Sequence, residues 1–204
     1  MGIEILESDA QIEKLIIQEL KNHFKEVLLD SKNIIEERFK IVIIEAIKKE
    51  PEYYALLNGR LLAEFGLTDV VNKLDIIINT VVQNIEIEIK DTKLSLFAVS
   101  SNFDELLQLS EAQQLTNKGQ SLDWLQWLLI YGDKTIIRDY EVEFNPTVKS
   151  RSGLAIMVKS KRAKWHVPSE YAGTRTNNWI TRAVDNIQDN KIERIIQTEI
   201  TNKW

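Results

Sequence analysis

Through the first third of the chain, apolar residues recur every three or four positions. Ile12, Leu15, Ile16, Leu20, Phe24, Val27 and Leu28 are separated by Glu and Lys, which predicts an amphipathic helix over 10–29. Asp30-Ser31 offer turn and N-cap chemistry, and Ile35, Phe39, Val42, Ile43 and Ile47 predict a second helix over 32–49. Pro51 fits the first turn of a third helix, where its missing N–H has no partner to lose. That helix carries Tyr54, Leu57, Leu61 and Phe65 across a break at Gly59, and Gly66 suits its C-cap. Thr68 or Asp69 then caps a fourth helix bearing Val70, Leu74, Ile77, Ile78 and Val81.

At Asn84 the period changes from helical to alternating. Ile85–Lys90 reads as a strand with one buried face, Asp91-Thr92 as a turn, and Lys93–Val99 as the hairpin partner. A short helix is expected over 102–109, and 110–120 has no clear period. Trp124, Trp127, Leu128 and Tyr131 fall at helical steps within Leu122–Tyr131, which Gly132 closes. Strands are expected at Asp139–Phe144 and Gly153–Lys159, with Asn145-Pro146 between them and Trp165-His166-Val167 extending the sheet. Helices follow over about 177–186 and 190–202. This order predicts an α+β fold, an antiparallel sheet packed with helices. A helical part over 1–82 precedes an α+β part over 83–204, the two forming one compact unit.

Composition changes this picture little; charge changes it more. The 204 residues, 44% hydrophobic and 28% charged, are ordinary for a folded protein, and seven Gly and three Pro leave little room for long linkers. No Cys is present, which removes disulfides, thiolate zinc sites and cysteine nucleophiles from consideration. The acidic N-terminus does not read as a signal peptide, and no apolar run reaches the roughly 20 residues a membrane helix needs. The net charge of −5 hides an asymmetry. Residues 1–145 hold 15 basic and 26 acidic residues. Residues 146–182 hold eight basic residues, namely Lys149, Arg151, Lys159, Lys161, Arg162, Lys164, Arg175 and Arg182, against Glu170 alone. Such a block reads as a solvated charged face, as a phosphate-contacting surface, or as a contact for the acidic part of a neighbouring copy. The overall acidity argues against a free DNA-binding protein.

Chemistry-bearing clusters are sparse. His23 is expected at the edge of a helical core and His166 on a strand, and two histidines without partners make no metal site. Glu36-Glu37, Glu86/Glu88 and Glu141/Glu143 are the local carboxylate pairs; Glu86 and Glu88 fall on the polar face of an alternating strand, where solvent exposure accounts for them without catalysis. No Gly-rich phosphate loop or nucleophile elbow occurs. The expectation is therefore a non-enzyme without cofactor or metal. Trp124 and Trp127 read as core. Trp165 ends a strand and Trp179 opens the helix after the Asn-Asn tract, both within the basic block, and the terminal Trp204 is expected to dock on another subunit.

Four segments then carry a resemblance. They are PEYYALLNGRLLAEFGLTD (51–69), LDWLQWLLIYGDKTIIRDY (122–140), RSGLAIMV (151–158), and WHVPSEYAGTRTNNWITRAVDNI (165–187) followed by IERIIQTEI. In this order they resemble the neck proteins of contractile-tailed bacteriophages, the head–tail joining or tail-completion class. The Tyr171-Ala172…Gly173-Thr174 segment leading into a helix is similar to the tail-completion pattern. The resemblance implies a virion structural protein, assembled in the host cytoplasm into a hexameric or dodecameric ring. Such a ring joins the capsid portal to the tail, meets adjacent neck, portal or tail proteins, and leaves a channel through which DNA passes without sequence recognition; no membrane is involved. It implies subunit contacts at Trp165, Pro168, Tyr171, Arg175, Trp179, Arg182 and Trp204, where Arg175 and Arg182 meet a neighbour's carboxylates. It also implies partner-ring or DNA contacts at Lys149, Arg151, Lys159, Lys161, Arg162 and Lys164, the first two on a hairpin tip over Asn145–Ser152. A tail terminator, a baseplate adaptor and a DNA-binding accessory protein are the alternatives.

Overall fold

A computed structural model describes residues 8–90, 93–97 (backbone), 103–116, 119–145, 147, 150 and 152–203. The fold is α+β, as the pattern predicts. In place of one sheet, the described residues form three separate two-stranded antiparallel ladders. The chain divides into two units whose boundaries differ from the predicted division at residue 82: one comprises 1–39, 86–97 and 188–204, the other 40–85 and 98–187. The difference has a physical cause. Elements far apart in sequence close the first unit, and a linear reading of periodicity does not register that.

In the first unit, helix α1 (Asp9–Ile47, its first part here) meets the hairpin of β1 (Glu86–Lys90) and β2 (Lys93–Phe97), and helix α8 (Asp189–Thr201). Ile35, Phe39 and Ile87 form the fully buried centre, with Ile89, Ile192, Ile195 and Ile196 packed against it. The β1–β2 ladder pairs Ile87 with Leu96 and Ile89 with Leu94, the register that alternation predicts. Arg38 Nη2 lies 2.7 Å from Glu199 Oε1, but that oxygen accepts no well-aligned hydrogen bond, so the contact is an ion pair. The Lys203 ammonium donates to the Asp30 carbonyl.

Helix α1 is a single 39-residue helix, which corrects the expected break at Asp30-Ser31. Neither Asp nor Ser costs more than about 0.7 kcal/mol in a helix interior, and neither breaks the hydrogen-bond ladder as Pro does. His23, expected at a core edge, is exposed.

The second unit begins with residues 40–47 of α1, followed by α2 (Pro51–Asn58), α3 (Arg60–Phe65) and α4 (Val70–Gln83). Gly59 does separate α2 from α3, and Gly66 ends α3 in the left-handed region at φ 58°. Asp69 occupies the N-cap position of α4 at φ 53°, without a side-chain cap bond. Leu74, Ile77, Ile78 and Val81 are buried as their spacing predicts. The short helix α5 (Asp104–Gln108), a 3-10 turn (Ser110–Ala112) and the two-residue pair β3 (Gln114–Leu115) and β4 (Ser121–Leu122) follow. The expected helix over 122–131 is a short α-helical turn, α6 (Trp124–Gln126), that widens into a π-helical turn over Trp127–Tyr131.

Strands β5 (Ile137–Phe144) and β6 (Ala155–Trp165) form a long hairpin, and α7 (Trp179–Asp185) completes the unit. The separate strands expected at 153–159 and 165–167 are one strand. A bulge hid its continuity: the register shifts between Arg138 and Tyr140, with Asp139 at φ 61° and Arg162 at φ 70°. The Arg162 N–H donates to Asp139 Oδ1 at 3.0 Å and fixes the irregularity.

Candidate interaction surface

Residues 165–182 join β6 to α7 and contain most of the implied subunit contacts. Trp165 is 7% exposed and meets Phe65 edge-on, ring centroids 5.9 Å apart; Trp179 is fully buried, and Pro168 is buried. These three belong to the core of the unit, which corrects their reading as subunit contacts: a side chain packed on its own core presents no surface. Tyr171 is half-buried, Arg175 is exposed, and Trp204 lies outside the described residues.

Bonds within the chain fix the path of this connection. A Cβ on Gly173 would fall 1.8 Å from the Leu128 carbonyl oxygen, so no other residue fits without moving backbone. The Gly173 carbonyl accepts the Gly132 N–H at 2.9 Å, tying the loop to the residue that ends the π turn. Thr174 and Asn177 exchange backbone hydrogen bonds of 2.8 and 3.2 Å. The N-cap of α7 is Asn178. Buried Asn178 accepts the N–H groups of Ile180 and Thr181 through Oδ1, both at 3.1 Å, and Thr181 Oγ1 returns the capping box by accepting the Asn178 N–H at 2.9 Å. Its Nδ2 donates to the Thr174 carbonyl at 2.8 Å. A buried amide so fully satisfied specifies one loop geometry.

Arg182 is likewise used at home. Its guanidinium pairs with buried Glu52, lies 3.6 Å from Glu50 Oε2, and donates to Asn177 Oδ1 at 3.1 Å. The carboxylates it was expected to find on a neighbour are therefore those of its own α2 and the residue before it. Burial raises the pKa of Glu50; Arg182 opposes that rise and Glu52 adds to it.

The β5–β6 hairpin is the opposite case. Lys159, Lys161, Arg162 and Lys164 on β6 are exposed, as are Glu141 and Glu143 on β5. Among the described residues no ion pair joins these acids to these bases. The cross-strand neighbours of Glu141 and Glu143 are Val158 and Ile156, and Arg138 stands opposite Lys164, a like charge. Phe144, Leu154 and Met157 are each exposed by 38% or more. Lys149 and Arg151, and with them much of the expected tip, lie outside the described residues. One side of the hairpin borders a groove of about 320 Å³ against the end of α3 and the β3–β4 turn, with Phe65, Leu122, Val142, Met157 and Trp165 in its wall. Glu64 is the carboxylate in that wall, held by Arg60 Nε at 2.6 Å, and the Trp165 Nε1–H is buried without an acceptor.

The basic strand is legible in the sequence, whereas its acidic counterpart is not, because Glu141 and Glu143 look like a local carboxylate pair until β5 is set beside β6. The signal is then plain: acids alternate along one arm and bases crowd the other. Among the described residues no helix is long and apolar enough to cross a membrane, and no group of three or more His, Asp or Glu is placed to hold a metal ion. Compared with known protein families, with curated proteins and with solved structures, the chain matches none of them.

Proposed function

We propose that the chain is a structural virion protein that assembles into a closed homo-oligomeric ring at a phage neck, joining the capsid portal to the tail around a channel for DNA. The sequence resemblance supplies the kind of assembly. The observation that carries the reading is uncovered apolar surface. Leu15, Ile16, Ile17 and Leu20 on α1 are 44–59% exposed, and Phe144, Leu154 and Met157 cluster on the β5–β6 hairpin. Single exposed apolar residues are ordinary, but grouped ones mark places that assembly covers. A ring of identical copies needs two unlike patches on each copy, so that one meets the other around the circle.

Sedimentation velocity and negative-stain microscopy of the purified chain test this reading. The expected result is annular particles of six or twelve copies with an open centre. A monodisperse monomer up to millimolar concentration, together with no labelling of the virion neck by an antibody to the chain, overturns it. Labelling at the far end of the tail would favour a baseplate adaptor. The exposed bases of β6 favour a DNA-binding accessory role as the second reading, which predicts duplex affinity of the lone subunit that falls steeply with salt.

A further inference from the structure

We infer that the β5–β6 hairpin is the ring interface: the acidic outer edge of β5 in one copy pairs, antiparallel, with the basic outer edge of β6 in the next. This rests on the ring reading and specifies where its two unlike patches lie.

The hairpin stands alone. No other strand among the described residues pairs with β5 or β6, so each presents a row of unpaired backbone N–H and C=O groups. None of the eight residues of β5 is buried, and of the eleven of β6 only Ala155 and Trp165, at its two ends, are. A two-stranded ribbon with so little cover is marginal in water, and a third strand remedies that.

Charge selects the third strand. β5 carries Asp139, Glu141 and Glu143 against Arg138, whereas β6 carries Lys159, Lys161, Arg162 and Lys164 with no acid. Lysines on a free edge usually ward off pairing, and had both arms been basic that account would suffice. Opposite signs on the two arms do something different. They penalise β5 against β5 and β6 against β6, and they favour β5 against β6. Among the described residues no ion pair joins Glu141 or Glu143 to the β6 bases, and apolar residues stand opposite both.

The pairing is head-to-tail. Each copy uses one edge to its left and the other to its right, in the same antiparallel sense as inside the hairpin, so the contact repeats around a closed ring. Setting Glu141 and Glu143 beside Lys159–Lys164 offsets neighbouring hairpins along the strand direction. That offset is the stagger a closed sheet of tilted strands needs. Phe144 and Met157 would then lie within a continuous sheet instead of on a bare ribbon.

Charge swapping tests this directly. One full-length variant carries Glu141→Lys and Glu143→Lys; a second carries Lys159→Glu, Lys161→Glu and Lys164→Glu; a third carries all five changes. Circular dichroism and melting verify folding, and sedimentation velocity reads assembly. Each of the first two alone is expected to lose assembly by at least tenfold in the concentration required. An equimolar mixture of the two, and the five-fold variant alone, are expected to recover it. Assembly of either single-arm variant at the wild-type concentration overturns the interface while leaving the ring reading intact. So does failure of both the mixture and the five-fold variant to recover. A wild-type chain that stays monomeric up to millimolar concentration, together with no antibody labelling of the virion neck, overturns both. Retained assembly with loss of duplex DNA binding in the second variant would assign the β6 bases to phosphate instead, and also overturns the interface.

Discussion

Two stretches of this chain look alike in sequence and behave oppositely in the fold. The connection over 165–182 lies within the basic block, the β6 arm of the β5–β6 hairpin supplies that block with Lys159, Lys161, Arg162 and Lys164, and both stretches carry large aromatic residues. In the connection, Trp165 and Trp179 turn inward, Asn178 satisfies its polar atoms locally, and Arg182 is held by Glu50 and Glu52. In the hairpin no ion pair among the described residues joins Glu141 or Glu143 to the β6 bases, and Phe144 and Met157 are exposed. An unusual loop sequence can thus serve the chain's own packing. What separates the two is whether the groups already have partners.

The comparison breaks most sharply at Gly173. Gly173→Ala places a Cβ against the Leu128 carbonyl oxygen and is expected to cost about 4 kcal/mol or more, read as loss of the cooperative melting transition. A variant that melts normally would mean that the connection has a second accessible path. Next is Arg182→Met, which leaves the Glu52 carboxylate buried without its partner. Removing one member of a fully buried pair costs about 3–5 kcal/mol. The Arg182 side chain is 33% exposed, so the expected loss is smaller, about 2–3 kcal/mol by denaturant titration. Adding Glu52→Gln to it should recover part of that loss.

A pH titration sharpens the same point at lower amplitude. Burial raises the folded pKa of Glu50 above its unfolded value, so its contribution favours folding below the ordinary glutamate range. That contribution is lost as pH rises through the raised pKa. Glu50→Gln is expected to flatten the stability profile over this window, compared with wild type by melting at stepped pH. The smallest effect on stability is expected in the hairpin. Glu141→Gln with Lys161→Gln removes no ion pair among the described residues and should shift stability by less than about 0.5 kcal/mol. A large shift there would show that these charges serve the lone subunit after all.

Much of the fold was legible in the chain because local period and local structure agree. Helices α4 and α8 keep their apolar residues in one register, and Ile85–Lys90 alternates without error. The pattern failed where regularity was interrupted by something the backbone absorbed. Asp30-Ser31 looks like a boundary, yet α1 passes through it. The bulge at Asp139 and Arg162 breaks alternation, so one strand read as two pieces. The π turn at Trp127–Tyr131 keeps helical spacing and conceals its wider geometry. Long-range chemistry was not legible at all. Nothing near Glu52 in sequence announces Arg182, and nothing near Gly173 announces the Leu128 carbonyl. Trp165 was misplaced for the same reason: its packing partner Phe65 lies a hundred residues away.

The clasp between Glu52 and Arg182 bridges 130 positions. Chains are made from the N-terminus onward, so an early carboxylate waits, hydrated, until the last part of the unit emerges. Closure of that unit is thus timed by the ribosome, and a prematurely terminated polypeptide ending before residue 182 keeps α2 unlatched and is left for proteolysis.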